Sequence, residues 1–251
     1  MNELALFAGA GGGILAGKLL EWRTVCAVEL DLYAASVLVQ RQDDGSLPCF
    51  PVWSDISTFD GRPWQGLIDV VSGGFPCQDI SQCGEGKGLE GAKSRLWWEM
   101  HRIIGEIRPK YVFIENTAEL TFRGGAVIVG SLRKLGYVGC HGVLGGEETG
   151  APVRGKRLWI LAKAAGERGM EKDTFQKGIT VKEQIWCTNK VTSMENIKKD
   201  ELLSNSQIVR ECNGVAYELD RIKAVGNGQS PRVAAIAFQT LKELIENEHK
   251  V

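Results

Sequence analysis

The chain has 251 residues, 43% hydrophobic and 24% charged, with a net charge of -1. That composition suits one full α/β domain plus a small extra one. It excludes a uniformly basic polymer binder, so any nucleic-acid contact has to come from a local patch. The 7 cysteines are odd in number and widely spaced, with no secretory leader ahead of them. Reduced thiols in the cytoplasm are expected rather than a disulfide framework. Cys77 and Cys83 stand too far from other Cys or His to suggest zinc, and no apolar run approaches a membrane span.

A first strand, Leu4-Ala5-Leu6-Phe7, runs into Ala8-Gly9-Ala10-Gly11-Gly12-Gly13 and then an apolar helix pattern through Leu20. Strand, glycine-rich turn and helix make the first half of a nucleotide-binding βαβ unit. No Gly-Lys-Ser/Thr follows, which excludes a phosphate-cradling NTPase loop. The second strand, Thr24 to Val28, ends at Glu29, where a carboxylate can bind both ribose hydroxyls of an adenosine or simply be solvated. A helix is expected from Asp31 to Gln40, then a strand-like piece from Phe50 to Trp53, with Asp55 and Ile56 near an adenine.

Leu67-Ile68-Asp69-Val70-Val71 reads as a buried strand. It delivers Gly73-Gly74-Phe75-Pro76-Cys77-Gln78 to the sheet edge where open α/β folds bind ligands. Pro76 fixes the backbone just before the sulfur, and the glycines allow close approach. A deprotonated thiol there can act as a nucleophile, although free cysteines are commonly buried and inert. Residues 84 to 95, rich in Gly, Lys and Glu, suggest a lid over a substrate, or else an exposed linker.

Leu96 to Ile107 has helical periodicity, stopped by Pro109. Tyr111 to Ile114 is a central strand carrying Glu115, a candidate general acid, to the same edge as Cys77. Asn116 or Thr117 suits the N-cap of a following helix. A helix over residues 126 to 135 leads to a strand opened by Gly136-Tyr137-Val138. Gly150 to Arg157 turns into the strand Leu158 to Ala162, and arginines at a strand mouth can bind phosphate or a base carbonyl. From Lys163 to about Val209 the apolar periodicity weakens, which reads as a small inserted lobe. A last helix, Val233 to Asn247, presents Val233, Ile236, Ala237, Leu241 and Leu244 on one face.

With these motifs in this order, the chain resembles the DNA (cytosine-5) methyltransferase family. Phe7-Ala8-Gly9-Ala10-Gly11-Gly12 is similar to its cofactor-binding turn, and Gly74-Phe75-Pro76-Cys77-Gln78 to its Pro-Cys loop. Glu115-Asn116-Thr117 is similar to its Glu-Asn-Val, and Gly226-Asn227 with Pro231 to its C-terminal motif. The family's Gln-x-Arg-x-Arg stands here as Val153-Arg154-Gly155-Lys156-Arg157, so the base-contacting role carries over to Arg157, with Arg154 as a substitute for the missing arginine.

The resemblance implies a Rossmann-like S-adenosylmethionine-dependent fold with a mixed, mostly parallel sheet. It implies a catalytic domain over residues 1–163, a short target-recognition region over 164–214, and a segment over 215–251 returning to the catalytic domain. It implies a Cys77 adduct with C6 of a flipped-out cytosine, with Glu115 at N3, Arg157 at O2, and Pro76 and Gln78 flanking the thiol. Cofactor contacts are expected from Phe7, Ala8, Gly9, Gly11, Gly12, Glu29, Leu30, Asp55, Ile56, Gly74, Pro76, Leu96, Asn227 and Gly228. The implied partner is double-stranded DNA, bound by a monomer without metal or membrane, in the cytoplasm of a microbial or phage-infected cell, with a restriction or accessory partner in prospect. Two alternatives stay open: a tRNA cytosine-5 methyltransferase, and a partner-dependent S-adenosylmethionine-binding accessory protein.

Overall fold

A computed structural model describes residues 1–76, 95–150, 155–165 and 228–247. The strands are β1 (Asn2–Leu6), β2 (Arg23–Val28), β3 (Val52–Trp53), β4 (Val70–Gly73), β5 (Tyr111–Thr117), β6 (Tyr137–Gly145) and β7 (Lys156–Ala164). Between them lie α1 (Gly12–Leu19), α2 (Leu32–Asp43), α3 (Arg95–Ile107), α4 (Leu120–Arg123), α5 (Gly125–Lys134) and α6 (Gly146–Thr149), and α7 (Pro231–Asn247) closes the described chain. The strands form one sheet in the order β3-β2-β1-β4-β5-β7-β6. Pairing is parallel from β3 to β5, and β7 runs antiparallel to both its neighbours. The expected mixed, mostly parallel sheet is therefore present.

Two helical layers cover this sheet because its strands are apolar on both faces. On one face α3 buries Trp97, Met100, Ile103, Ile104 and Ile107, and α5 buries Ile128 and Leu132. On the other, α7 packs against α1, β6 and β7. Its Phe238 sits edge-on to Trp22, Tyr111 and Phe113. The buried face of α7 differs from the periodicity expected: Phe238 and Ile245 are buried, whereas Ile236 and Leu244 are only partly covered.

Strand β4 also starts later than expected. Leu67 is 59% exposed, and the Asp69 carboxylate accepts the Asn2 backbone N–H at 2.6 Å. An apolar run alone does not fix where pairing begins. The lid expected over 84–95 lies outside the described residues except for Arg95, which opens α3. The lobe expected over 164–214 does too, except for residues 164 and 165.

A buried carboxyl group sits beneath the sheet centre. Glu3 is fully buried on β1 and accepts the hydroxyls of Thr24 (2.7 Å) and Ser72 (2.6 Å). Burial pushes it from 4.5 up to about 7, against the pull of the Ser72 and Thr24 hydrogen bonds. The folded chain thus holds this proton more tightly than the unfolded one. Stability from the group is complete below the unfolded value and is lost as pH rises through the folded value, about 3 kcal/mol in all. Glu3→Gln keeps polar contacts and removes the titration. Urea unfolding should show wild type losing about 3 kcal/mol more than the variant between about pH 4 and pH 8. Equal losses would contradict this.

Candidate active site

The chain leaves β1 toward β2 and β3, then returns to the other side of β1 to form β4. Such a reversal opens a crevice beyond the carboxyl ends of the two strands. Leu6 pairs with Val28 on one side and with Gly73 on the other, and Gly73 pairs with Ile114. The next residue on each strand is therefore Phe7, Glu29, Gly74 or Glu115. Four positions from distant parts of the sequence share one row at the mouth of the sheet. A cleft opens there, lined by Leu6, Phe7, Ala8, Gly9, Gly13, Ser72, Gly74, Glu115, Gly228 and Gln229, among others.

The first turn is a left-handed knot of backbone. Phe7, Gly9 and Gly11 have φ of 52°, 55° and 93°. Gly11 caps α1, whose first N–H groups offer a polar end to a ligand. Glu29 fastens this turn to β2: Oε2 accepts Gly9 N–H at 2.7 Å and Oε1 accepts Asp31 N–H at 2.8 Å. A carboxylate has about four lone-pair sites, so capacity remains for hydroxyl donors. Leu30 is 69% exposed beside it. Trp53, which sequence reasoning passed over, ends β3 next to Glu29, whose N–H binds the Trp53 carbonyl at 2.8 Å. Its ring is about half exposed, an apolar surface at the same mouth.

Asp55 caps the turn Ile56–Thr58 by accepting Ser57 N–H at 2.9 Å. The Ile56 side chain is buried in the core, so its part in ligand contact falls to its backbone. Arg102 of α3 pins this turn by donating to the carbonyls of Ile56 (3.0 Å) and Phe59 (2.9 Å). Leu96, in the first turn of α3, packs on the core from a partly exposed position.

Glu115 closes the row and is 9% exposed. Arg157 on β7 lies opposite Thr117, two residues on and on the same face. That diagonal brings Arg157 Nε to 3.3 Å from Glu115 Oε1. Burial pushes the Glu115 carboxyl up to about 7, against the pull of the Arg157 charge. Near neutral pH it therefore holds a proton part of the time, as a general acid requires. A Cβ on Gly74 would stand 2.5 Å from Glu115 Oε2, so any larger residue there would displace the acid.

Asn116 overturns its N-cap reading. Glu119 occupies the cap of α4, and Asn116 instead donates to the Phe75 carbonyl at 2.9 Å. Phe75 is buried against Trp97, and Pro76 follows it exposed. Asn116 and Phe75 thus anchor the backbone that enters position 77. Cys77, Gln78, Arg154 and Asn227 lie outside the described residues, as does the stretch around them. Gly228 is exposed at the cleft.

Comparison with known proteins fits this geometry. The fold is shared with the Dnmt2 methyltransferase of S. pombe, at a TM-score of 0.54 and 23% identity over 66% of this chain and 52% of that one. The model of the C-5 cytosine-specific DNA methylases matches residues 1–247, and the chain belongs to that family. The Type II methyltransferase M.PspPI of Psychrobacter sp. (strain TA137) is 35% identical over 136 residues, 53% of this chain and 32% of that protein. M.HaeII of Haemophilus aegyptius is 32% identical over 164 residues, 64% of this chain and 49% of that protein. The chain spans about a third to a half of the length of these two relatives. Among the described residues no group of His, Cys, Asp and Glu is arranged to hold a metal ion, and no helix is long and apolar enough to cross a membrane.

Proposed function

We propose that the chain transfers a methyl group from S-adenosylmethionine to C5 of cytosine in double-stranded DNA. The observation that carries this reading is the row Phe7, Gly74 and Glu115 at one cleft, with Arg157 paired to the acid. The residues present suit the cofactor. The positive-φ turn and the N-terminus of α1 face its charged end, Glu29 suits its ribose hydroxyls, and Leu30, Trp53 and the Asp55–Ile56 backbone suit its adenine. Ala8, Gly12, Pro76, Leu96, Asn227 and Gly228 complete the proposed set of contacts. When bound, S-adenosylmethionine supplies an electrophilic methyl group.

The remaining work falls to the chain. Cytosine C5 is a weak nucleophile, and covalent attack at C6 makes it electron-rich. The Cys77 thiolate forms the S–C6 bond, with Pro76 and Gln78 as its sequence neighbours. Glu115 gives its proton to N3, offsetting the charge that addition creates. Arg157 binds O2 and keeps the Glu115 carboxyl in place. After methylation, N3 returns its proton to the Glu115 carboxylate, and loss of the C5 proton to solvent with cleavage of the S–C6 bond restores the aromatic ring and the thiolate. The base has to leave the helical stack for any of this. Phe122 on α4, 91% exposed just past the end of β5, offers a stacking face for nucleic acid at that edge. Residues 164–214 are proposed to read the target sequence, in a Type II modification role like that named for the matched relatives.

Digestion to nucleosides after incubation with duplex DNA and methyl-labelled cofactor tests the reading. Label on cytosine C5 is expected. Label on adenine or on cytosine N4 would contradict it, and transfer to tRNA alone would move the activity to RNA.

A further inference from the structure

Three glycines leave room for one residue, one for its backbone and two for its side chain. A Cβ on Gly12 would stand 2.2 Å from the Gln229 carbonyl oxygen, one on Gly13 2.9 Å from its Oε1, and one on Gly74 3.1 Å from its Nε2. The Gln229 amide therefore spans the cleft from the first turn to the end of β4. At Gly74 it meets the acid, because the same Cβ position lies 2.5 Å from Glu115 Oε2. Arg157 holds the other carboxyl oxygen, Oε1, at 3.3 Å. Glu115 thus has a cation on one oxygen, and the Gln229 amide lies on the side of the other, both groups bordering the space beside Gly74.

We infer that Gln229 is a positioning residue for Glu115, its amide following the proton on Oε2. Its approach to the acid stands on geometry, and its catalytic consequence rests on the methyltransferase reading. A carboxamide suits the task because it is uncharged and has a donor end and an acceptor end. Nε2 donates to Oε2 when Glu115 is ionised. Turned over, Oε1 accepts from the carboxylic acid. Gln229 has three side-chain torsions with which to close the remaining gap, since no direct hydrogen bond joins the two groups as they stand. Leucine at 229 would leave buried Oε2 facing hydrocarbon, which penalises the ionised form. Glutamate would set a second carboxylate opposite the first, with the same sign of effect.

Protein labelled with 13C at the glutamate carboxyl carbons tests this, the Glu115 signal being identified by its loss in Glu115→Gln. Folded Gln229→Leu should raise the apparent pKa of Glu115 by about half a unit or more, and Gln229→Glu by more again. Gln229→Asn, which keeps the amide on a shorter stem, should also raise it and serves if the leucine variant fails to fold. Values within about 0.2 unit of wild type in the folded variants would overturn the inference. In the methyl-transfer assay the high-pH limb of kcat should move upward with the same shift. A wild-type chain that transfers no methyl group would sink the activity reading, and the titration would still decide the role of Gln229.

Discussion

Glu115→Gln is expected to slow methyl transfer by about two to four orders of magnitude, the usual worth of a positioned proton donor. S-adenosylmethionine affinity should stay within about threefold, because the substitution removes a proton and a charge but no cleft surface. Glutamine can still offer N–H to N3, but it has no proton to give as charge builds on the ring. The variant should fold, since Arg157 is about one-third exposed and can turn toward water. The pH profile carries the sign. If Glu115 acts as the proposed acid, with its carboxyl pushed up to about 7, kcat in the wild type should fall as pH rises past that value. The variant should lose this limb. Single-turnover rates across pH, with calorimetry for the cofactor, check both parts. A variant as fast as wild type would remove Glu115 from the chemistry.

Gly12→Ala is expected to damage cofactor binding more than any other single methyl group added in the first turn. Its Cβ would stand 2.2 Å from the backbone oxygen of Gln229 and 3.1 Å from both its backbone C and N. All three atoms are main chain, so the segment before α7 has to move bodily away from the cleft. Overpacking of this kind costs about 1–3 kcal/mol of stability, and displacement of residues 228 and 229 should weaken cofactor affinity by at least about tenfold. Gly13→Ala is the control. There the Cβ meets the far end of the Gln229 side chain at 2.9 Å, which a rotamer change relieves. Equal effects for the two variants would mean that the approach of residue 229 to the first turn does not matter.

Much of the site was legible because strand ends are legible. The residue that follows each short apolar run falls at the mouth of a parallel sheet, which is how Glu29 and Glu115 could be named from sequence alone, while Gly74 was read from its glycine pair and Phe7 from the family resemblance. Pairing across β5 and β7 then brings Arg157 to Glu115. What stayed hidden depends on chain segments that meet only in the fold. Gln229 lies more than 200 residues from Gly12 and Gly13, and no periodicity announces their contact. Asn116 read as a helix cap because its chemistry suits one, yet the Phe75 carbonyl, 41 residues away, has the claim on it. Glu3 escaped notice because an acid near the start of a chain reads as solvated until Thr24 and Ser72 are seen to enclose it.

The bond between sulfur and pyrimidine is open to direct capture. Duplex DNA with 5-fluorocytosine at the methylated position removes the last step, because fluorine cannot depart as a cation as a proton does. With S-adenosylmethionine present, the protein should accumulate as a complex with DNA that survives denaturation. Its mass should equal chain plus DNA strand plus one CH2 unit, the transferred methyl less the thiol hydrogen, and the modified peptide should carry the adduct at position 77. Cys77→Ala should give none. A wild-type chain that methylates ordinary cytosine at C5 while leaving no such complex, or one attached elsewhere, would contradict the account.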